Sequence, residues 1–146
     1  MSKRFTLAEA QRLIPEVDRL LREAVSIKSD YDKAEGVIQA FTERVMMMGG
    51  MSVDRSTVLE ARTRRDGAAG RLRAAIQQVQ GIGCIVKDLD IGLIDFPTTF
   101  RGVEVYMCWK LGETAIGFWH GVNEGFRGRK AIDQDFRDHH QGDRSQ

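Results

Sequence analysis

The feature that most constrains the fold is a regular alternation of apolar and polar side chains in the last third of the chain. One side of the alternation carries Val103, Val105, Met107 and Trp109, and the other carries Glu104, Tyr106, Cys108 and Lys110. Successive side chains of a β-strand point to opposite faces of its sheet. The pattern therefore predicts a strand with one face on an apolar core.

Further short strands are predicted on both sides of this one. The runs 84–86, 93–96 and 115–120 are rich in β-branched and aromatic residues. The connections 88–92, 97–102 and 111–114 contain the Gly, Asp or Pro residues that tight turns favour. Because short connections make successive strands neighbours in space, residues 81–132 are predicted to form a small antiparallel meander.

The first half of the chain has a helical period instead. Thr6 and Glu9 have the spacing of a capping box, in which each side chain bonds to the other residue's backbone amide. Pro15 either kinks the helix that begins there or starts a second one. From Val17 to Val45 apolar residues recur three and four positions apart, which predicts one long amphipathic helix. The run 46–51, with two adjacent glycines, is predicted to end it.

A second amphipathic segment follows, with an apolar stripe from Val58 to Val79 that Arg65 interrupts. The run 80–83, with two glycines, supplies the glycine expected just past its end. The two segments predict an antiparallel helical hairpin over residues 6–80, so the fold class is α+β. Residues 1–132 are expected to form one domain, and the polar residues 133–146 are expected to be a disordered tail.

The overall composition excludes some functional classes. The formal net charge is +1 and 42% of the residues are hydrophobic, as in soluble globular proteins. Because the charge is nearly balanced, no nucleic-acid partner is expected. Without a long apolar run or a signal-like start, a membrane partner is not expected either, and the location is predicted to be cytoplasmic.

Candidate site residues occur where the predicted strands begin and end. Asp88 lies in a turn, Asp95 inside a strand where Asp is normally depleted, Glu113 in a turn and His120 at the end of the last strand. If Asp95, Glu113 and His120 converge, they provide ligands for one metal ion that could activate water. The alternative is structural, since Asp88 can bond to turn amides and His120 can be a hydrogen-bonded core residue.

Arg127 and Arg129 follow these residues in the segment 125–129. Together with the glycines they could hold a phosphate or carboxylate, or they could pair with the strand aspartates as a structural clamp. Trp109 and Trp119 are predicted to fill the core, and Cys84 and Cys108 are predicted to be buried, unreactive thiols. An adjacent pair, His139 and His140, is expected to bind no metal, because it falls in the predicted tail.

Several motifs carry a resemblance to a known family. They are 86–90 (VKDLD), 92–97 (GLIDFP), 108–113 (CWKLGE), 118–120 (FWH) and 125–129 (GFRGR). In order and spacing they resemble a prokaryotic family catalogued as domain of unknown function 2203, over Phe5 to about Ile132. The resemblance implies these domain limits and no activity or cofactor.

Two functional hypotheses follow. The first is a non-enzymatic binding module, self-associating through its hairpin, with a polar pocket for a small anionic ligand or a metal ion at one end of the sheet. The residues expected to line that pocket are Asp88, Asp95, Glu113, His120, Arg127 and Arg129. The alternative is a small metal-dependent hydrolase that uses Asp95, Glu113 and His120.

Overall fold

The computed structural model describes residues 3–47 and 55–143 and has an α+β fold. The helices are α1 (Leu7–Met47), α2 (Arg55–Ile82) and α3 (Gln134–His139). The strands are β1 (Ile85–Asp88), β2 (Leu93–Phe100), β3 (Val103–Lys110), β4 (Phe118–Gly121), β5 (Lys130–Ala131) and β6 (His140–Gln141). A single 3-10 turn among the described residues spans Phe126–Gly128. None of the described helices is both long enough and apolar enough to cross a membrane.

The chain divides into two compact units. One contains the described residues up to Arg22 and from Ile76 onwards, and the other is Glu23–Ala75. The second unit contains the later part of α1, from Glu23, and the earlier part of α2, up to Ala75. Their facing sides bury small or branched residues, namely Ile27, Ala34, Val58, Ala61 and Ala68.

The start of α1 follows the predicted capping pattern. Thr6 Oγ1 accepts a hydrogen bond from the Glu9 amide, and Glu9 Oε1 accepts one from the Thr6 amide, both at 3.1 Å. These bonds satisfy two amides that the helix leaves without partners. The helix then continues through Pro15 to Met47, so Pro15 lies inside one helix and does not start a second. Residues 48–51 of the predicted stop at 46–51 lie outside the described residues.

The sheet is the predicted meander, in the order β1-β2-β3-β4-β5 with every pairing antiparallel, and β6 pairs with β2. Arg101 and Gly102 both have positive φ and form the two-residue turn between β2 and β3. Positive φ at both positions is typical of tight hairpins, because the twist of such a turn matches that of the strands. Because this turn comes only at 101–102, β2 continues to Phe100. It is longer than the predicted run 93–96 and includes most of the predicted connection 97–102.

Pro97 fits into β2 because it lies at a point on the strand's edge where no neighbouring strand needs its amide N–H. β1 pairs with β2 as far as Asp95, and β6 pairs with it from Thr99 onwards. Between them the Phe5 amide donates to the Pro97 carbonyl at 2.7 Å. Proline is tolerated at a position where no neighbouring strand needs an amide donor, so the N-terminal segment completes this edge of the sheet.

One face of the sheet packs on the first turns of α1 and the end of α2. The core of this unit contains Phe5, Val17, Leu21, Val79, Ile94, Phe96, Met107 and Trp109. Both tryptophans pack as predicted, because Trp109 is buried in this core and Trp119 packs against it. The buried apolar side chains that alternate along β3 therefore face this core, as predicted.

Residues 134–141, which were expected to be disordered, form α3 and β6 instead. Asp133 caps α3 by accepting from the Phe136 amide, and the Phe136 ring is fully buried. Phe136 stacks on Trp119 and on His140, with centroids 5.2 Å apart in each case. One buried aromatic side chain thus holds a segment whose overall composition is polar, and the ordered chain extends past Ile132.

Candidate metal-binding cluster

A polar cluster is buried on the face of the sheet that is turned away from the helices. Asp95 pairs with Cys108 across β2 and β3, and His120 pairs with Tyr106, two residues from Cys108. The strand period therefore places Asp95, Cys108 and His120 on one face. Asp95 and Cys108 are fully buried, and His120 is 3% exposed. One ligand atom from each residue lies within 4.8 Å of the other two.

His120 and Asp95 form the centre of this cluster. His120 Nε2 lies 3.0 Å from Asp95 Oδ1, and His120 Nδ1 lies 2.8 Å from the Gly121 carbonyl oxygen. Because a carbonyl oxygen only accepts, Nδ1 carries a proton and donates it to Gly121. Nε2 then either accepts a proton from Asp95 or donates one to it, so the pair holds one shared proton.

The second oxygen of Asp95 is the exceptional atom of the cluster. Oδ2 is buried and has no hydrogen-bond partner within the described part of the chain. Buried carboxylate oxygens are nearly always bonded, because leaving one without a partner costs about 1–3 kcal/mol. Burial raises the pKa of Asp95 above its ordinary value, and the hydrogen bond with His120 opposes this rise. The site therefore contains a buried acceptor atom without a regular hydrogen bond, next to the Cys108 thiol, whose interaction with the carboxylate also lowers the pKa of Asp95.

Cys108 supplies the sulfur of the cluster. Burial raises the pKa of its thiol to about 11, and the neighbouring Asp95 carboxylate acts in the same direction. Without a ligand the thiol is therefore protonated at neutral pH. A bound cation would reverse this, since a coordinating thiol is deprotonated.

Glu113 and Arg129 form a clamp beside the cluster and do not enter it. Glu113 Oε1 accepts from the Lys110 amide at 2.6 Å, and Oε2 accepts from Arg129 Nη2 at 2.9 Å. The Arg129 guanidinium lies 3.8 Å from the ring centroid of Phe118, and its Nη1 is 3.9 Å from Cys108 Sγ. Both oxygens of Glu113 already have hydrogen-bond partners. Glu113 was expected to be a metal ligand, but the observed cluster contains Cys108 in its place.

The remaining candidates lie elsewhere. Asp88 is exposed, and its Oδ1 accepts from the Asp90 amide at 2.9 Å, which is the turn contact that the structural alternative predicts. Arg127 is exposed in the 3-10 turn, and no ion pair links it to the described residues. Of the two arginines, only Arg129 takes part in a clamp, and its partner is a glutamate from a turn.

The family model described as an uncharacterized conserved protein, domain of unknown function 2203 (DUF2203), matches residues 3–132. The chain belongs to this family. Comparisons with curated proteins and with solved structures gave no match. In this DUF2203 protein the matched region contains the whole cluster, whereas α3 and β6 lie beyond it.

Cys108 is the member of the cluster that the sequence analysis assigned to the inert core. The sequence feature that could have placed Cys108 in the cluster is the tight turn at Arg101 and Gly102. A two-residue hairpin there fixes the register of β2 on β3 and places Cys108 directly opposite Asp95. The position of His120 next to them has no such signal, because a longer connection separates β3 from β4.

Proposed function

We propose that this DUF2203 protein is a non-enzymatic metal-binding module in which Asp95, Cys108 and His120 hold one divalent transition-metal ion. The observation that supports this most strongly is the unpartnered Oδ2 of Asp95, buried within a cluster that also offers an imidazole nitrogen and a sulfur atom. A cation bound there would supply the missing partner. It would also connect the three neighbouring strands β2, β3 and β4.

The orientation of His120 supports the proposal. Histidines that bind metals usually donate their other ring N–H to a carbonyl or carboxylate, which fixes the tautomer. The bond from Nδ1 to the Gly121 carbonyl is of this kind and directs Nε2 into the cluster. The cation would replace the proton that Nε2 now shares with Asp95.

The charge and softness of the ligands favour zinc or a similar ion. With the thiol ionised, the three side chains carry a charge of −2, which a divalent cation neutralises. Zinc binds carboxylate oxygen, thiolate sulfur and imidazole nitrogen together, usually in tetrahedral geometry. Magnesium and calcium prefer six or more oxygen ligands, which this cluster does not offer. Asp95 could fill a fourth position by binding through both oxygens.

The surroundings favour binding over hydrolysis. Each ligand is at most 3% exposed, and a hydrolase needs an open position where substrate and water meet. Glu113, the third residue of the hydrolase hypothesis, is occupied by Arg129 and the Lys110 amide. Arg129 Nη1 lies 3.9 Å from Cys108 Sγ and lowers the pKa of the thiol, so the clamp would favour the thiolate that a bound cation needs.

Metal titration with matched variants tests the proposal. Metal-free protein should bind one zinc or cobalt ion per chain with an increase in Tm, since a ligand that binds the folded state stabilises it. Cobalt should produce a thiolate charge-transfer band. The variants Asp95→Asn, Cys108→Ser and His120→Asn should each lose stoichiometric binding. Glu113→Gln and Cys84→Ser are the controls and should retain it.

Two results would refute the metal proposal. One is a wild-type protein that binds neither ion and whose Tm does not respond to them. The other is binding that survives in Cys108→Ser with an unchanged cobalt spectrum. The wild-type spectrum reports sulfur ligation by itself, so the test does not depend on every variant folding.

We also propose that the protein self-associates and is cytoplasmic. Within the unit Glu23–Ala75, Leu59 is 65% exposed and Val37 is 41% exposed, although both are large and apolar. Burying such side chains against a second copy would be favourable. Sedimentation that shows only monomer across the micromolar range would contradict self-association. The buried free thiols fit a reducing compartment, which cell fractionation can test.

A further inference from the structure

A second site lies at the start of α1 and shares no residue with the metal-binding cluster. It is a cavity of about 450 Å³, within the range of pockets that bind small molecules. Its lining is largely apolar and comes from α1, the segment before β4, and the C-terminal segment. The lining residues are Leu7, Ala8, Gln11, Ala115, Ile116, Arg137 and His140. All of them belong to the same compact unit.

The polar side chains of this cavity that are still free to bind a ligand offer hydrogen-bond donors. Gln11 Oε1 accepts from the Ile116 amide at 3.0 Å, which leaves the Gln11 NH2 group available. His140 has both ring nitrogens engaged, since Nε2 accepts from the Leu7 amide at 2.8 Å and Nδ1 donates to the Phe136 carbonyl at 3.0 Å. The polar groups of the lining that can still bind a ligand are therefore Gln11 and Arg137.

The charge of the cavity is positive. Arg137 forms no ion pair with any residue in the described ranges, and the lining contains no Asp or Glu. His140 must be neutral to accept from Leu7, so it adds no second charge. One guanidinium group above an apolar cavity complements a ligand with one negative charge and an apolar body. Guanidinium and carboxylate groups bond particularly well, because two parallel hydrogen bonds can form.

We propose that this cavity binds an amphiphilic monocarboxylate, such as a medium-chain fatty acid. Its carboxylate would accept from Arg137 and from the Gln11 amide group, and its hydrocarbon chain would pack on Leu7, Ala115 and Ile116. A phosphate group or a nucleotide would fit less well, since a dianion needs more donors than these two side chains provide. This site is independent of the proposed metal-binding function.

Calorimetric titration of the full chain can test the site with three probes. Decanoate, below its micellar concentration, has both the charge and the apolar chain. Decanol has the chain without the charge, and acetate has the charge without the chain. Decanoate should bind with a stoichiometry of one, decanol should bind at least tenfold more weakly, and acetate should not bind measurably.

Variants then locate the site. Arg137→Gln should weaken decanoate binding at least tenfold, and Arg137→Lys should weaken it less. Ala8→Phe, which fills the cavity from an exposed position of α1, should abolish binding. Arg127→Gln is the matched control, because Arg127 is also an exposed arginine without an ion pair in the described ranges and does not line the cavity. It should bind decanoate as the wild type does.

The inference is overturned if decanol binds as tightly as decanoate, or if Arg137→Gln binds decanoate as tightly as Arg127→Gln. Inorganic phosphate, titrated as a fourth probe, should bind more weakly than decanoate, and the opposite order would overturn the inference as well. Both arginines are exposed, so neither substitution is expected to prevent folding. Cys108→Ser should retain decanoate binding, which separates this result from the outcome of the metal titration.

Discussion

His120 Nε2 and Asp95 Oδ1 lie 3.0 Å apart in a region that is almost completely shielded from water. The contact joins β4 to β2 across the intervening strand β3, so it connects side chains that backbone pairing does not connect. Removing one partner of such a pair leaves the other without its bond in a medium of low dielectric constant. Loss of either partner is therefore expected to destabilise the fold even before any metal binds.

The first prediction concerns this pair in protein kept metal-free with a chelator. His120→Ala removes the hydrogen bond between Asp95 and the imidazole in a buried site and should lower the free energy of unfolding by about 3 kcal/mol. Asp95→Asn should lower the free energy of unfolding by a smaller amount, because the Asn amide N–H can still donate to His120 Nε2. Urea unfolding measures both changes. An His120→Ala variant that is no less stable than Asp95→Asn would contradict this account.

The second prediction concerns Phe136, in the segment that composition alone assigns to a disordered tail. Its ring is fully buried between Trp119 and His140. Phe136→Ala should lower the free energy of unfolding by about 3–5 kcal/mol, since it removes a large buried side chain and leaves a cavity. Gln134→Ala, in the same helix and exposed, should change it by less than about 0.5 kcal/mol. Equal effects of the two substitutions would mean that the segment does not pack on the sheet.

The helices and the order of the strands could be predicted because they depend on local patterns. The capping box at Thr6 and Glu9 fixes the start of α1, and the alternation of Val103–Lys110 fixes β3. Arg65 seemed to interrupt the apolar stripe of α2. It instead pairs with Glu35 of α1 at 2.9 Å, so a charged residue at this position also joins the two helices.

The rest depends on contacts between residues that are distant in sequence. The full length of β2 could not be predicted, because Pro97 argues against a strand unless the Phe5 amide completes its edge. The order of the C-terminal segment depends on Phe136, a single apolar residue among polar ones. For the site, the sequence offers a convergence of Asp95, Glu113 and His120 only as one alternative, and no local pattern indicates that Asp95 and His120 meet. Cys108 was missed because an alternating pattern does not by itself give the register between strands.

The third prediction concerns the close approach of the C-terminal segment to the start of α1. A Cβ atom on Gly142 would lie 2.7 Å from the Thr6 amide nitrogen and 2.8 Å from the Phe5 carbonyl carbon, both of which are backbone atoms. Next to this contact, the Arg4 amide donates to Asp143 Oδ2 and the Arg4 carbonyl accepts from the Asp143 amide. Gly142→Ala must move the two segments apart and should lower the free energy of unfolding by about 1–3 kcal/mol.

Gly117→Ala is the control for this substitution, because a Cβ atom there would meet no atom within 4 Å. It should be nearly neutral in thermal or urea unfolding. If Gly142→Ala proves as stable as Gly117→Ala, the C-terminal segment does not lie against Phe5 and Thr6 as described.

The last prediction concerns Cys84, which is buried outside the metal-binding cluster. Burial raises the pKa of its thiol to about 12, although the charge of Lys3 acts in the opposite direction. The unfolded chain ionises this thiol at a pKa near 8.5. Since the folded pKa is the higher one, the stabilisation is complete below about pH 8.5 and is lost as the pH rises towards 12.

The difference in unfolding free energy between wild type and Cys84→Ser isolates this effect, because all other groups titrate in both proteins. The difference should be constant from pH 7 to 8. Above pH 9 the wild type should lose stability relative to the variant by up to about 1.4 kcal/mol per pH unit. The native thiol should also resist alkylation at pH 8 until the protein is unfolded. A difference that does not change up to pH 10.5, together with rapid alkylation, would mean that water reaches Cys84 in the folded protein.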